Sequence, residues 1–447
     1  MTTNFGWPQP ANLSTGWGSA MDTMIAAQDG LPHYIANHLV RYVDYANGND
    51  GAAATRGLGP GYAYKTIQAA YTELRTTAMA NYSPDVNGLT AVGRIEVLPG
   101  DHDVGAGILI RPLEPVHIRG TRGGLGGHYG SESVSRLVSS SSAGTEFIKV
   151  QNSTTTLVGY GCVFEELVFS VLHGTNTALT SIIQFYNTDF PLVRRCAFFS
   201  DTGASLTCPA VYVQSAGGNA DSAWGRIIDC NSVRMPLALF GTGVNYNSWV
   251  VRDNVGFYSG SAPWVQLQGD FFHSTCQDNY MEGTSIAFQL DSDTTDHSTF
   301  LNNSGESADS TNPYYKVTGS VQNCQFIGGI TTVGDNSIGT YLTNTNVNAS
   351  GNIILAPVTT TGTAGKKNKF ADSGPSTFGY TIWHPGAGIP VKYKSGSGTL
   401  TIADADFSTG ALTPLGTLGA TFSSTGPTYK IWIKVATSDV WKSVAVT

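Results

Sequence analysis

From Arg94 onward the apolar residues come in short runs: Ile108–Ile110, Val116–Ile118, Phe147–Val150, Ile182–Phe185, Val211–Val213, Leu237–Phe240, Val265–Leu267 and Ile286–Leu290. Clusters of Gly, Ser, Thr, Asn and Asp separate them. Runs this short between turn residues predict strands, and they exclude a helical bundle or a doubly wound sheet. A sandwich, barrel, propeller or solenoid is left. One stretch has a different period. Ile67, Ala70, Tyr71 and Leu74 recur at i, i+3, i+4 and i+7, which predicts a helix over about Lys65–Arg75. A short strand at Tyr42–Asp44 precedes it, and a strand at Arg94–Leu98, stopped by Pro99-Gly100, follows. An amphipathic helix at the head of a long run of strands is expected to cover an open core end.

An internal repeat decides among the all-β classes. The segments VFEELV (163–168), VRRCAF (193–198), IIDCNS (227–232), VRDNVG (251–256), CQDNYM (276–281), FLNNSG (300–305) and VQNCQF (321–326) superimpose. Their first column is apolar: Val163, Val193, Ile227, Val251, Cys276, Phe300, Val321. Three residues on stand Glu166, Cys196, Cys230, Asn254, Asn279, Asn303 and Cys324, with intervals from Cys196 of 34, 24, 25, 24 and 21 residues. A period of 21–25 residues with two or three strands per repeat fits one turn of a parallel β-helix, each strand about 4.8 Å from its equivalent in the next turn. A stack of Asn then bonds the backbone of the neighbouring coil, and Cys is small and apolar enough to replace it. The longer intervals are read as coils with inserted loops around Thr202–Leu206 and Ala216–Trp224.

The repeat sets the domain boundaries. Residues 1–38 form a separate N-terminal segment too short to fold alone, residues 39–357 the β-helix, 358–372 a polar linker, and 373–447 a small antiparallel β domain with alternating patterns such as YKIWIKVA. With 24 basic against 32 acidic residues and only 13% charged, the chain lacks the footprint of a nucleic-acid binder. No apolar run is long enough for a membrane span. The start of the chain has no basic region followed by an apolar one, so no ordinary secretory signal is expected. Cys162, Cys196, Cys208, Cys230, Cys276 and Cys324 lack metal-knuckle spacing and are read as reduced core thiols. No cofactor or metal is expected.

YVDYANGND…GPGYAYKTIQAA…GRIEVLPGDHDV, over Tyr42–Val104, resembles the opening of pectate-lyase-like right-handed parallel β-helix proteins. The resemblance implies an all-β, right-handed single-chain solenoid with an N-terminal capping helix and the small C-terminal β domain. It says little about chemistry, because lyases, hydrolases, epimerases and binders share that scaffold. The layout of short N-terminal segment, trunk and C-terminal β domain also resembles phage tailspikes and tail fibres. That resemblance implies a homotrimer in the virion, attached to a tail or baseplate protein through residues 1–38. Its partner would be a host surface polysaccharide, bound and hydrolysed. The alternatives are a non-catalytic receptor-binding tail protein and a cellular polysaccharide lyase.

On a β-helix, residues one period apart share a face, so candidate chemistry is sought in polar columns. Asp229, Asp253 and Asp278 form one: either a cation site or catalytic carboxylates, or turn residues bonding their own backbone. Glu282 and Glu306 form a second, in a column otherwise occupied by Phe199, Val233, Phe257 and Ile327. Adjacent coils give the carboxyl spacing of retaining glycoside hydrolysis, with Asp270 and Asp293 as further carboxyl partners. His273 and His297 form a third, able to orient a sugar hydroxyl, act as bases or ligate a metal with nearby Asp, or else simple loop residues in DSDTTDHST. Trp264 and Tyr280 add aromatic faces for sugar rings. The expected catalytic residues are thus Glu282, Glu306, Asp270 and Asp293, with His273, His297, Trp264 and Tyr280 binding substrate.

Overall fold

The computed structural model describes residues 39–51, 57–81, 92–111, 114–121, 134–139, 146–150, 159–171, 179–201, 205–214, 222–242, 245–291, 294–307 and 312–329, and further strand segments between 331 and 446. Residues 1–38, Asp293 and most of the Thr202–Leu206 and Ala216–Trp224 insertions lie outside them.

One passage of the chain shows the plan. Strand Asn245–Asn247 belongs to what we call sheet 4, Val250–Arg252 to sheet 1, Val255–Phe257 to sheet 2 and Val265–Leu267 to sheet 3. Asp270–Phe272 then returns to sheet 4 and pairs in parallel with the starting strand, Asn245 opposite Asp270. Repetition of this circuit builds long parallel sheets. In sheet 1 the strands from Val40–Val43 through Tyr380–Trp383 follow one another in chain order, and sheets 2 and 3 grow alongside. The molecule is therefore mostly β, with a solenoid's parallel connectivity.

Side chains alternate across each short strand, so Val250–Arg252 turns its central Val251 inward while Val265–Leu267 turns both Val265 and Leu267 inward. Ile95, Ile118, Phe164, Val193, Ile227, Val251, Cys276, Phe300 and Phe326 are successive partners in sheet 1, all essentially inaccessible. The inward residues of all four sheets belong to one buried cluster. All six cysteines are buried and free, and burial pushes the Cys162 thiol up to about 12, so it stays protonated.

The stacking of Asn at the corner between sheets 1 and 2 is as expected. The side-chain oxygens of Asn254, Asn279 and Asn303 accept from the backbone N–H of Cys230, Asn254 and Asn279 at 2.9, 3.2 and 3.0 Å. Their amide nitrogens donate to carbonyls of the preceding coil, and neighbouring amides bond each other. Cys196 and Cys230 continue the ladder as thiol donors to backbone carbonyls. The two ends of the repeat need correction. Val193 is opposite Phe164, not Val163, so Leu167 and not Glu166 precedes Cys196 in the ladder. Phe300 is opposite Phe326, so the rung after Asn303 is Gly329, whose backbone lies against the Asn303 carbonyl, and Cys324 belongs elsewhere. It continues a second ladder, at the corner between sheets 4 and 1, in which Ser274 and Ser298 accept from Trp249 N–H and Ser274 N–H at 2.9 and 3.2 Å.

Helix α1 runs Ile67–Asn81, one turn longer than its pattern predicts. Asp50 accepts the Lys65 and Thr66 N–H groups ahead of it, and the Thr66 hydroxyl accepts Ala69 N–H. Ile67, Ala70, Tyr71, Leu74 and Ala78 are buried against Val40–Val43, Gly93–Val97 and Ile108–Ile110. Two of those strands are the first edges of sheets 1 and 3, which the helix covers.

At the far end the expected linker holds strands: Val358–Thr359 and Asn368–Asp372 extend sheet 3. Beyond Tyr380–Trp383 the pairings are antiparallel except between Pro390–Gly396 and Leu418–Ser423, so the C-terminal strands are mixed. No helix among the described residues is long and apolar enough to cross a membrane.

Candidate functional site

The strands Tyr280–Gly283 and Ser304–Ser307 are hydrogen-bonded neighbours in sheet 2, with Glu282 opposite Glu306. Met281 and Gly305 take the inward positions, because a larger residue than Gly305 would meet the Met281 carbonyl and the Tyr314 ring. Alternation therefore turns both glutamates outward, and both are exposed. Their Cα atoms are one rung apart, about 4.8 Å. Among the described residues neither carboxylate has a Lys, Arg or His partner. Phe257, 45% exposed, is the preceding member of the column and Thr332 the next. Ile327, expected in this column, faces Leu301 in sheet 1 instead. Tyr280 lies half-buried beside the acids, and burial, with the charges of Glu306 and Glu282, holds its phenol above the usual value. A neutral hydroxyl thus stands next to two carboxylates.

The other expected site residues go elsewhere. Trp264 is fully buried and its indole N–H donates to Ser232 Oγ at 2.6 Å, so it is core and not a sugar platform. It fills the space that Gly256 leaves in sheet 2. Asp270 opens a sheet 4 strand, beyond the sheet 3 strand from the glutamates, so the circuit sets them on different faces. Asp293 lies outside the described residues. His273 and His297 sit at the corner that leads into sheet 1, their rings stacked at 5.5 Å and 22°. His297 Nδ1 meets Asp296 Oδ1 at 2.8 Å. A sheet 1 strand about 10 Å long and the next corner separate this pair from Glu282. The histidines and glutamates each form a pair, but they do not form one constellation.

The aspartate column is a turn device. Glu166, Arg195, Asp229, Asp253, Asp278 and Asn302 occupy successive sheet 1–sheet 2 corners with φ of 51–57°, the left-handed region that Asp and Asn tolerate. Arg252 meets Asp253 at 3.0 Å and Arg195 reaches Asp229 at 4.0 Å. Burial raises the Asp253 pKa, Arg252 opposes the rise, and Asp229 and Asp278 add to it. Among the described residues no three His, Cys, Asp or Glu side chains are grouped to hold a metal ion.

A second concentration of charge, on the early coils, is not apparent from the repeat as aligned. Glu96, Arg119, Glu165 and Arg194 are successive outward partners in sheet 1, alternating in sign. Buried Glu165 bonds Arg194 and meets His117 Nε2 at 3.2 Å, while Arg119 and Arg195 reach Glu166 at 3.1 and 3.4 Å. Burial raises the Glu165 pKa, but Arg194 and His117 outweigh it and hold the carboxyl below the usual range. Burial lowers the His117 pKa. The readable signal is the residue after each inward apolar one: Ile95-Glu96, Ile118-Arg119, Phe164-Glu165, Val193-Arg194. Arg119 is therefore the last residue of the sheet 1 strand Val116–Arg119. Every acid in this group has a cation, which suits an ion-pair ladder and not a catalytic pair.

No protein-family model matches the chain. No curated protein matches it by sequence. Among solved structures it is similar to DFA-IIIase from Arthrobacter chlorophenolicus A6 in complex with GF2, at 13% identity and a TM-score of 0.50 over 76% of this chain and 93% of that one. The C387A mutant of that enzyme aligns at 11% identity and a TM-score of 0.49, over 76% and 94%. A GH136 lacto-N-biosidase from Eubacterium ramulus aligns at 8% and 0.33, over 79% and 71%. Against the DFA-IIIase complex the likeness is one of fold.

Proposed function

We propose that the chain is a glycoside hydrolase acting on a polysaccharide, with Glu282 and Glu306 as its carboxyl pair. The observation that carries this is the placement of two exposed carboxylates on adjacent rungs with no cationic partner among the described residues. One carboxyl then protonates the glycosidic oxygen while the other attacks the anomeric carbon, and water releases the sugar from the second in the reverse sense. One-rung spacing suits this retaining route, because the inverting route needs room for a water between the acids. Tyr280 lies beside the pair with its phenol held protonated, and the exposed ring of Phe257 offers a flat apolar face one rung away. A DFA-IIIase of similar fold, solved in complex with GF2, supports the carbohydrate reading.

The wider setting follows the resemblance to tailspikes: a homotrimer in a phage tail, held by residues 1–38 and acting on host surface polysaccharide. Light scattering of the full chain tests it, a trimer being expected and a monomer counting against it. For the chemistry, Glu282→Gln and Glu306→Gln are assayed for release of reducing ends from host-surface and storage polysaccharides. A loss of about 10²–10⁴-fold in each is expected. Full activity in both variants refutes the assignment. An unsaturated product would indicate elimination and favour a lyase, and binding without cleavage would favour a receptor-binding protein.

A further inference from the structure

The corners that lead into sheet 1 form a second column on the outside of the solenoid: Phe190, Trp224, Ser248, His273, His297 and Asn323. Each is in the left-handed region, with φ of 48–57°. Their register is fixed by backbone bonds, Trp224 N–H to Asn247 O, Ser248 N–H to Phe272 O and His273 N–H to Asp296 O. Asn adopts this conformation readily, but bulky Phe and Trp are outliers there. Both are also about half exposed, at 49% and 48%, although neither strain nor exposure favours large apolar side chains. Strained, exposed residues that fail on both counts point to a function.

The rings in this column stack in two pairs. Phe190 and Trp224 are 4.9 Å apart at 10°, and His273 and His297 are 5.5 Å apart at 22°. Between the pairs stands one rung without a ring, Ser248. Two rung spacings, about 10 Å, therefore separate the levels of Trp224 and His273. A ring layered between two others at about 3.5–4.0 Å from each needs about 7–8 Å, so one puckered ring fits and two do not. The floor of the gap is polar: the Ser248 hydroxyl donates to Asn247 Oδ1 at 3.0 Å, and both side chains are partly accessible. A flat indole face, an imidazole and a floor of hydroxyl and amide groups match a sugar ring, apolar on its faces and polar on its rim. An acidic chain does not suit a polyanionic partner.

We propose that the rung over Ser248, between Trp224 and His273, is a subsite for one sugar ring of a neutral glycan, separate from the glutamate pair. The proposal rests on the carbohydrate reading above and adds a place that holds the chain while cleavage occurs elsewhere. The test uses the full chain on a printed array of neutral gluco-, galacto-, fructo- and lacto-series oligosaccharides, followed by titration of the strongest ligand. Trp224→Ala removes the platform. Ser248→Phe fills the gap with a ring in a conformation that Phe190 already adopts. Each variant is expected to lose at least tenfold in affinity, with melting temperature and light-scattering mass unchanged. Affinity within twofold of the parent in either variant overturns the subsite and leaves the carbohydrate reading standing. Binding of no oligosaccharide by the parent overturns both. A fall in oligomer mass in Trp224→Ala would mark the patch as a contact between copies, and preference for a mononucleotide would mark it as a base-binding slot; either overturns the proposal.

Discussion

Replacing Asn279 by alanine tests the stacking of the coils at one side chain. Asn279 is 1% exposed and makes four side-chain bonds. Its oxygen accepts from Asn254 N–H and Nδ2 at 3.2 and 2.9 Å, and its nitrogen donates to Val251 O and Asn303 Oδ1 at 2.9 and 2.8 Å. Alanine breaks all four. The Asn254 amide retains Ile227 O and Asn303 Oδ1 retains Asn279 N–H, so those two groups keep a partner. The buried Asn254 N–H loses its side-chain acceptor, a cost of roughly 1–3 kcal/mol, and the missing amide leaves a small cavity worth about 1 kcal/mol more. We expect Asn279→Ala to lose about 2–4 kcal/mol. Asn279→Cys is expected to lose less, because Cys230 already serves this column as a thiol donor. The assay is urea unfolding followed by far-ultraviolet circular dichroism, comparing midpoints at constant slope. A change below about 0.5 kcal/mol in Asn279→Ala would refute the reasoning, since a surface substitution does no more.

The legibility of this fold in its sequence follows the same ladder. Between Cys196 and Asn303 a polar residue that must stack is flanked by an apolar one that must point inward, and the two constraints admit one register. At VFEELV the acidic neighbours carry no such constraint, so the alignment slips by one residue. At VQNCQF, Cys324 looks like a ladder member but extends the Ser274–Ser298 ladder, which is hidden because serine is also an ordinary turn residue. The glutamate pair is legible because acids break an apolar column. Trp264 is misleading because its burial depends on Gly256, a partner on another sheet that local pattern does not reveal. The Phe190–Trp224 stack is hidden for a related reason: nothing in a sequence marks a bulky residue as occupying a left-handed corner.

Three further outcomes are expected. A Cβ on Gly256 would lie 2.4 Å from the Trp264 indole, so Gly256→Ala should lower the denaturation midpoint by the equivalent of about 1–3 kcal/mol and alter tryptophan emission; unchanged emission and stability would contradict the packing. Burial lowers the pKa of His102, which is 2% exposed, so the unfolded chain takes up a proton below its ordinary value of 6.5 before the folded chain does. Stability is therefore complete above that value and lost as pH falls from about 6.5 toward the lowered one, and His102→Gln should flatten this part of the melting profile; an unchanged slope would contradict it. Arg194→Ala strips Glu165 of its main counter-charge and should cost about 1–3 kcal/mol in thermal or urea unfolding, with Glu165→Gln in the same background recovering part of it; no loss on removing the arginine would show the ladder to be idle.

The central claim is that carboxylates on adjacent rungs cleave a glycosidic bond together, and the configuration of the first product tests it most directly. For a polysaccharide that the chain cleaves, proton NMR within the first minutes of reaction should show the anomer with the configuration of the substrate linkage, and no such signal with Glu282→Gln or Glu306→Gln. Appearance of the opposite anomer first, or the same product from both variants at the parent's rate, would contradict the account.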